Sequence, residues 1–200
     1  MLNTKKLLYL LSDVAYLAEL LPAKKPSTFK IQSFRQINGD YIEGGEFNPA
    51  NVLKLFKKLD LKGEECQLIL PDLLFTNTIV SVDDKSDSKI KKHLQEELLP
   101  DLGLTTDSHQ IDTTVLTEHG DKSRVQLSAL ENSVLEPVQI SAQETGLKIS
   151  SVSPLSWTLK SLISLEPSIS VVQAGSTLNV TLHYIGVDQS SQAPVEKVEN

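Results

Sequence analysis

The 200-residue chain carries 19 basic and 26 acidic residues, for a net charge of −7, and 40% of it is hydrophobic. That is enough chain for one or two cored domains, and the acidic balance argues against nucleic acid as a main partner, since phosphate binding needs a basic surface. The lone Cys66 cannot form an intrachain disulfide, which fits a reducing compartment, and no window offers the roughly 20 apolar residues of a membrane-spanning helix.

The first element lies in KKLLYLLSDVAYLAELLPAKKP. A secretory signal is not expected, because Asp13 and Glu19 interrupt the apolar region and no small-residue cleavage site follows. Leu7 to Leu11 is a short unbroken apolar run. From Val14 the pattern alternates, with Val14, Tyr16, Ala18 and Leu20 on one side and Ala15, Leu17 and Glu19 on the other. Ser12 and Asp13 are turn formers. The stretch therefore predicts a tight hairpin, and Thr28 to Asn38 predicts a third, partly exposed strand.

Asn48-Pro49 predicts a helix start, an N-cap side chain followed by proline at the first helical position. Val52, Phe56 and Leu59 share one face with Leu53 beside them, while Lys54, Lys57 and Lys58 face solvent. Gly63 closes this unit. Cys66 to Pro71 then predicts a buried strand, parallel to an earlier one through the helical crossover, in which Cys66 is a buried small hydrophobe.

After Pro71 comes a strand–helix–strand–strand unit. Leu74 to Val82 is rich in Thr, Ile and Val. Ser86 or Asp87 caps a helix with Ile90, Leu94 and Leu98 on one stripe, expected to end before Pro100. Two alternating strands follow, one with Ile111, Thr113 and Val115 inward and the other with Val125, Leu127 and Ala129 inward, joined at Gly120-Asp121. A helix to Thr145 stops at Gly146, and Leu147 to Val152 is a strand. Ser153-Pro154 starts a helix with Leu155, Leu159 and Leu162 buried. A second hairpin, SISVVQAGSTLNVTLHYIG, repeats the layout of the first, with Leu178, Val180, Leu182 and Tyr184 in phase. The polar stretch beyond Val187 is expected to be disordered.

In this order the elements resemble the actin-like proteins of the PilM, FtsA and GspL group. GDYIEGGEFNPANVLKLFKKLDLKGEECQLILP and SVLEPVQISAQETGLKISSVSPLSWTLKSL carry the resemblance, which covers about residues 5 to 187 and rests on layout and spacing. It implies an α/β chain with an actin-like (ribonuclease H-like) core, residues 1–72 plus 131–167, and an inserted strand–helix–strand–strand subdomain, residues 73–130. Residues 168–187 would then open a truncated second lobe, with 188–200 as a disordered tail.

Actin-like ATPases hold nucleotide between two hairpin turns, where glycine lets backbone N–H groups approach phosphate and an acid positions the metal. Here Leu11-Ser12-Asp13-Val14 has the acid without the glycine. Gln173-Ala174-Gly175-Ser176-Thr177 has the glycine, with Gln173 in place of the acid. The expectation is no catalytic residue, no metal and no cofactor, ATP with magnesium being conceivable only in a longer form. Any nucleotide contacts would fall on Ser12, Asp13, Gly175, Ser176 and Thr177. His93, His109, His119 and His183 lack metal-ligand spacing, and the Asp83, Asp84 and Asp87 cluster lacks the glycine and terminal glutamate of a calcium loop.

Two functions remain open. One is a non-enzymatic cytoplasmic scaffold of a type IV pilus or secretion-type assembly, which the resemblance implies would hold the cytoplasmic peptide of a PilN-like membrane protein. It would meet the membrane only indirectly, and self-association is a further partner class. The other is an actin-like ATP-binding protein completed in a longer chain. For the first, Leu70, Pro71 and Phe75, apolar and next to the junction of core and insert, are the expected peptide contacts, with packing of the insert onto the core as the competing role.

Overall fold

The structure is a computed structural model that describes residues 5–23, 29–84, 86–119, 122–160, 168–184 and 187–195. The expected turn at Gly120-Asp121 and the helical position of Leu162 lie outside them.

The predicted first hairpin forms from β1 (Lys5–Leu10) and β2 (Val14–Pro22), and β3 (Phe29–Asn38) pairs on its far side. A two-stranded ribbon, β4 (Ile42–Glu43) and β5 (Glu46–Phe47), leads into α1 (Pro49–Leu59). The cap of α1 is the one expected: the Asn48 side chain accepts from the Asn51 N–H at 3.2 Å. The buried face of α1 is Val52, Leu55, Phe56 and Leu59, so Leu55 takes the place expected for the half-buried Leu53. Then β6 (Glu65–Leu70) pairs parallel with β1, as the crossover requires.

From β6 the chain passes through a tight helical turn (Asp72–Leu74) into β7 (Phe75–Val82). A helical run follows: α2 (Asp87–His93), a π-helical turn (Leu94–Leu98) and α3 (Leu99–Asp101). This corrects the expected stop before Pro100. Proline has no N–H to give the ordinary helical bond, and the π turn absorbs the mismatch, with the Leu99 N–H reaching the Leu94 carbonyl. The strands β8 (His109–His119) and β9 (Lys122–Glu131) complete a sheet of order β7-β9-β8. Val125, Leu127 and Ala129 are inward, with Ile111 packed beside them over Ile90, Leu94 and Leu99. Val115 is not inward; it is exposed beside the register shift between Val115 and Thr117.

The chain then returns through α4 (Asn132–Thr145) to β10 (Lys148–Pro154), which adds parallel to β6. Gly146 ends α4 at φ +72°, where a side chain would be strained. The main sheet has the order β10-β6-β1-β2-β3. Leu8, Leu10, Ala15, Leu17, Leu68 and Leu70 meet Val52, Phe56, Leu135 and Val138 of α1 and α4 in the main core.

After α5 (Leu155–Lys160), a further sheet holds β11 (Ser168–Ala174), β12 (Thr177–Tyr184) and β13 (Val187–Pro194). The expected disorder beyond Val187 is thereby corrected, since β13 pairs with β12 from Tyr184↔Val187 to Thr177↔Pro194. A free strand edge accepts a neighbour through its backbone, so a polar sequence suffices.

Candidate functional site

The parallel strands β1, β6 and β10 end at Leu10, Leu70 and Pro154, and open α/β sheets bind ligands beyond such ends. The facing turns of the two hairpins lie there, and a groove between the main sheet and the smaller β7-β9-β8 sheet runs along β10 and reaches this end at Pro154.

The first turn is built by its own backbone and by the segment after β3. The Leu11 N–H donates to the Val14 carbonyl at 2.9 Å, Gly39 donates to the Asp13 carbonyl at 3.0 Å, and Tyr41 donates to the Ser12 carbonyl at 2.6 Å. This places the Asp13 side chain against the second turn. Its Oδ2 accepts the Ser176 backbone N–H at 2.9 Å, a contact between residues 163 apart in sequence. Gly175 makes the approach feasible. Its φ is +58°, and a Cβ there would come to 2.8 Å from both Asp13 Cγ and Val14 Cγ1. Leu11, Val14 and Ala174 seal the contact, flanked by Tyr9 and Tyr16.

Of the five residues expected at this cleft, Asp13, Gly175 and Ser176 therefore meet. Ser12 contributes its carbonyl to local structure, and Thr177 begins β12 opposite Ala174 and Pro194. The arrangement is the reverse of a phosphate cradle. The glycine and the backbone N–H of the second turn face a carboxylate of the same chain, where an anionic ligand would need them free.

The sequence reading missed Asp72, which follows the buried end of β6. It is buried, and its carboxylate accepts the Ser156 N–H at 3.1 Å and the Ser156 hydroxyl, stitching the end of β6 to the start of α5. The Tyr9 hydroxyl is buried without a partner among the described residues. Burial raises its ionisation above the ordinary tyrosine range, helped by the negative charge of Asp72. Cys66 is buried and its thiol is pushed up to about 12 by desolvation, so it is no nucleophile at neutral pH. Among the described residues no three His, Cys, Asp or Glu side chains gather as a metal site.

The groove follows β10, which ends the main sheet and, among the described residues, leaves one backbone edge unpaired. A pocket of about 440 Å³ runs between β10 (Ile149 to Val152), α4 (Gln139, Gln143) and Gln110 of β8. It meets a second pocket, of about 130 Å³, at Gln110 and Val152. Phe75, Ser128 and Pro154 line that second pocket, and the buried Ser128 hydroxyl has no partner among the described residues. Leu70 is sealed in the main core and Pro71 is buried, so of the three expected contacts only Phe75 reaches the groove.

No family model matches the sequence, and no curated protein is similar to it at a significant level. Solved structures do match, and they define the class: the fold is actin-like, a mixed α/β architecture. The PilM–PilN type IV pilus biogenesis complex superposes with a TM-score of 0.73 at 11% identity, over 97% of this chain and 62% of that one. The cytoplasmic domain of EpsL, an inner-membrane component of the type II secretion system of Vibrio cholerae, superposes with a TM-score of 0.60 at 9% identity, over 96% and 71%. The chain thus spans less than two thirds of the PilM length. Among the described residues no helix is long and apolar enough to cross a membrane.

Proposed function

We propose that the chain is a non-enzymatic cytoplasmic scaffold of a type IV pilus or secretion-type assembly. It docks an extended, partly apolar segment from the cytoplasmic tail of a PilN-like membrane partner. The observation that carries this reading is the free edge of β10 running along a groove with mixed polar and apolar walls. An added strand would bond to β10 through its backbone, drop alternate side chains into the groove, and bring a backbone group to the unpartnered Ser128 hydroxyl. The likeness to PilM, solved together with PilN, supports the choice of partner.

The same reading makes the chain a poor nucleotide binder. A polyphosphate between the hairpins would have to displace Asp13 from the Ser176 N–H and accept a carboxylate beside it. Calorimetric titration with Mg-ATP is expected to show no heat of binding, and a micromolar signal would reject this part of the reading.

The docking test uses a labelled peptide matching the cytoplasmic tail of a PilN-like protein from the same organism. Gln139→Arg with Gln143→Trp fills the groove from exposed positions and should weaken binding at least about tenfold at unchanged melting temperature. Phe75→Ser should lower the melting temperature, because Phe75 also packs on the main core. Absence of wild-type binding overturns the proposal.

A further inference from the structure

The opposite end of the main sheet carries a second edge, β3, ten residues long and unpaired on its outer side among the described residues. Its pairing with β2 fixes which way each side chain points. Phe34 lies opposite Ala18, Ile31 opposite Leu20 and Phe29 opposite Pro22, all on the face turned away from α1 and α4. These three are 59%, 69% and 39% exposed. They extend an aromatic row that begins inside the molecule, Tyr9 stacked on Tyr16 at 6.3 Å and Tyr16 on Phe34 at 5.7 Å. The Lys5 ammonium sits 4.8 Å above the Phe29 ring. Lys30 and Arg35 lie on the other face of the strand, opposite Leu21 and Leu17.

Natural edge strands are usually short, or guarded by proline or charge on the exposed face. Here the register shift opposite Glu19 and Leu20 interrupts pairing once and leaves Ser33 to Asn38 unbroken. The local charge is also out of keeping with the chain. The strand itself holds Lys30 and Arg35 and no acidic residue, with Glu19 of β2 opposite Ser33, in a protein of net charge −7.

We propose that the free edge of β3 takes up an extended partner segment in which apolar and acidic residues alternate. Its backbone pairs with Ser33 to Asn38. Its apolar side chains lie beside Phe34 and its acidic ones fall on the opposite face near Arg35, and the segment continues past the register shift toward Ile31 and Lys30. Pairing with a second copy would instead set Lys30 and Arg35 against the same two residues, and like charges facing across strands repel. This surface is separate from the groove at β10, so the two ideas fail independently.

The test titrates the whole chain with a fluorescent ten-residue peptide alternating glutamate and valine, with a lysine-for-glutamate control. The acidic peptide should bind and the basic one should not. Lys30→Glu, at an exposed position that leaves the melting temperature unchanged, should weaken binding about tenfold, while Gln143→Trp leaves it intact. Phe34→Ser should weaken it as much and lower the melting temperature slightly through the lost stacking on Tyr16. Backbone N-methylation of alternate peptide residues should abolish binding, and hydrogen exchange should slow at Ser33 to Asn38 alone. Equal binding of both peptides, or none of either, overturns the proposal. So does a dimer in light scattering that Ile31→Lys dissolves, or co-sedimentation with anionic phosphatidylglycerol vesicles in place of peptide binding.

Discussion

The two hairpins share a sequence layout and have opposite surroundings. In β1–β2 the core-facing set is Leu8, Leu10, Ala15 and Leu17, pressed against two helices. In β11–β12 the apolar set is Ile169, Val171, Leu178, Val180 and Leu182, brought to one face by pairs such as Ile169↔Leu182 and Val171↔Val180. That face is open, with Ile169 at 65% and Val171 at 59% exposure. The buried face carries Asn179, Thr181 and His183, whose Nε2 shares a hydrogen bond with the Ser170 hydroxyl at 2.9 Å. Alternation therefore identifies a strand, whereas what packs against it decides which face is inside.

The largest effects should separate the hairpins by burial. Leu10→Ala removes a fully buried side chain and should cost about 3 kcal/mol in urea unfolding. Val171→Ser, at the matching apolar position of the second hairpin, should change stability by less than about 0.5 kcal/mol. Equal losses would erase the distinction.

An intermediate effect is expected where the hairpins touch. Gly175→Ala puts a Cβ against Asp13 at a positive φ and should cost about 1–3 kcal/mol. Asp13→Ala should recover part of that loss, so the double mutant is less damaged than the sum of the singles. Strict additivity would show that the turns do not meet.

The smallest effect concerns Tyr9. Tyr9→Phe deletes an unpartnered buried hydroxyl and should leave stability unchanged or raise it by up to about 1 kcal/mol. The native phenol keeps its proton after the unfolded one has lost it, as the Cys66 thiol does from roughly pH 9 toward about 12. The unfolded state then binds fewer protons, so stability is full below that range and falls as the pH rises through it. Tyr9→Phe should make the decline above about pH 10 shallower in a pH series of unfolding curves.

Much of this was legible along the chain. Asn48-Pro49 marks a helix start by local bonding alone, Gly146 marks a stop, and the alternation from Val14 marks a strand. What escaped depends on partners far away in sequence. Nothing near Asp13 announces that it will accept from Ser176, and nothing near Asp72 announces Ser156, 84 positions on. The strand β13 escaped for another reason: its backbone pairs while its side chains carry no apolar pattern. For the junction residues the sequence leaves peptide contact and core packing both open, and Leu70 takes the core role because the end of a parallel strand is covered on both faces.

The register of β7 with β9 has a topological consequence. Phe75 and Leu130 are direct partners, so the excursion from the main sheet leaves and returns side by side, as a loop closed at its root. The entropy of closing such a loop grows only with the logarithm of its length. Residues added or removed at the far end, beyond His119 and Lys122, would alter that cost by a fraction of a kilocalorie and leave the root in place. The excursion can therefore lengthen or shorten across homologues while the sheet that anchors it stays the same.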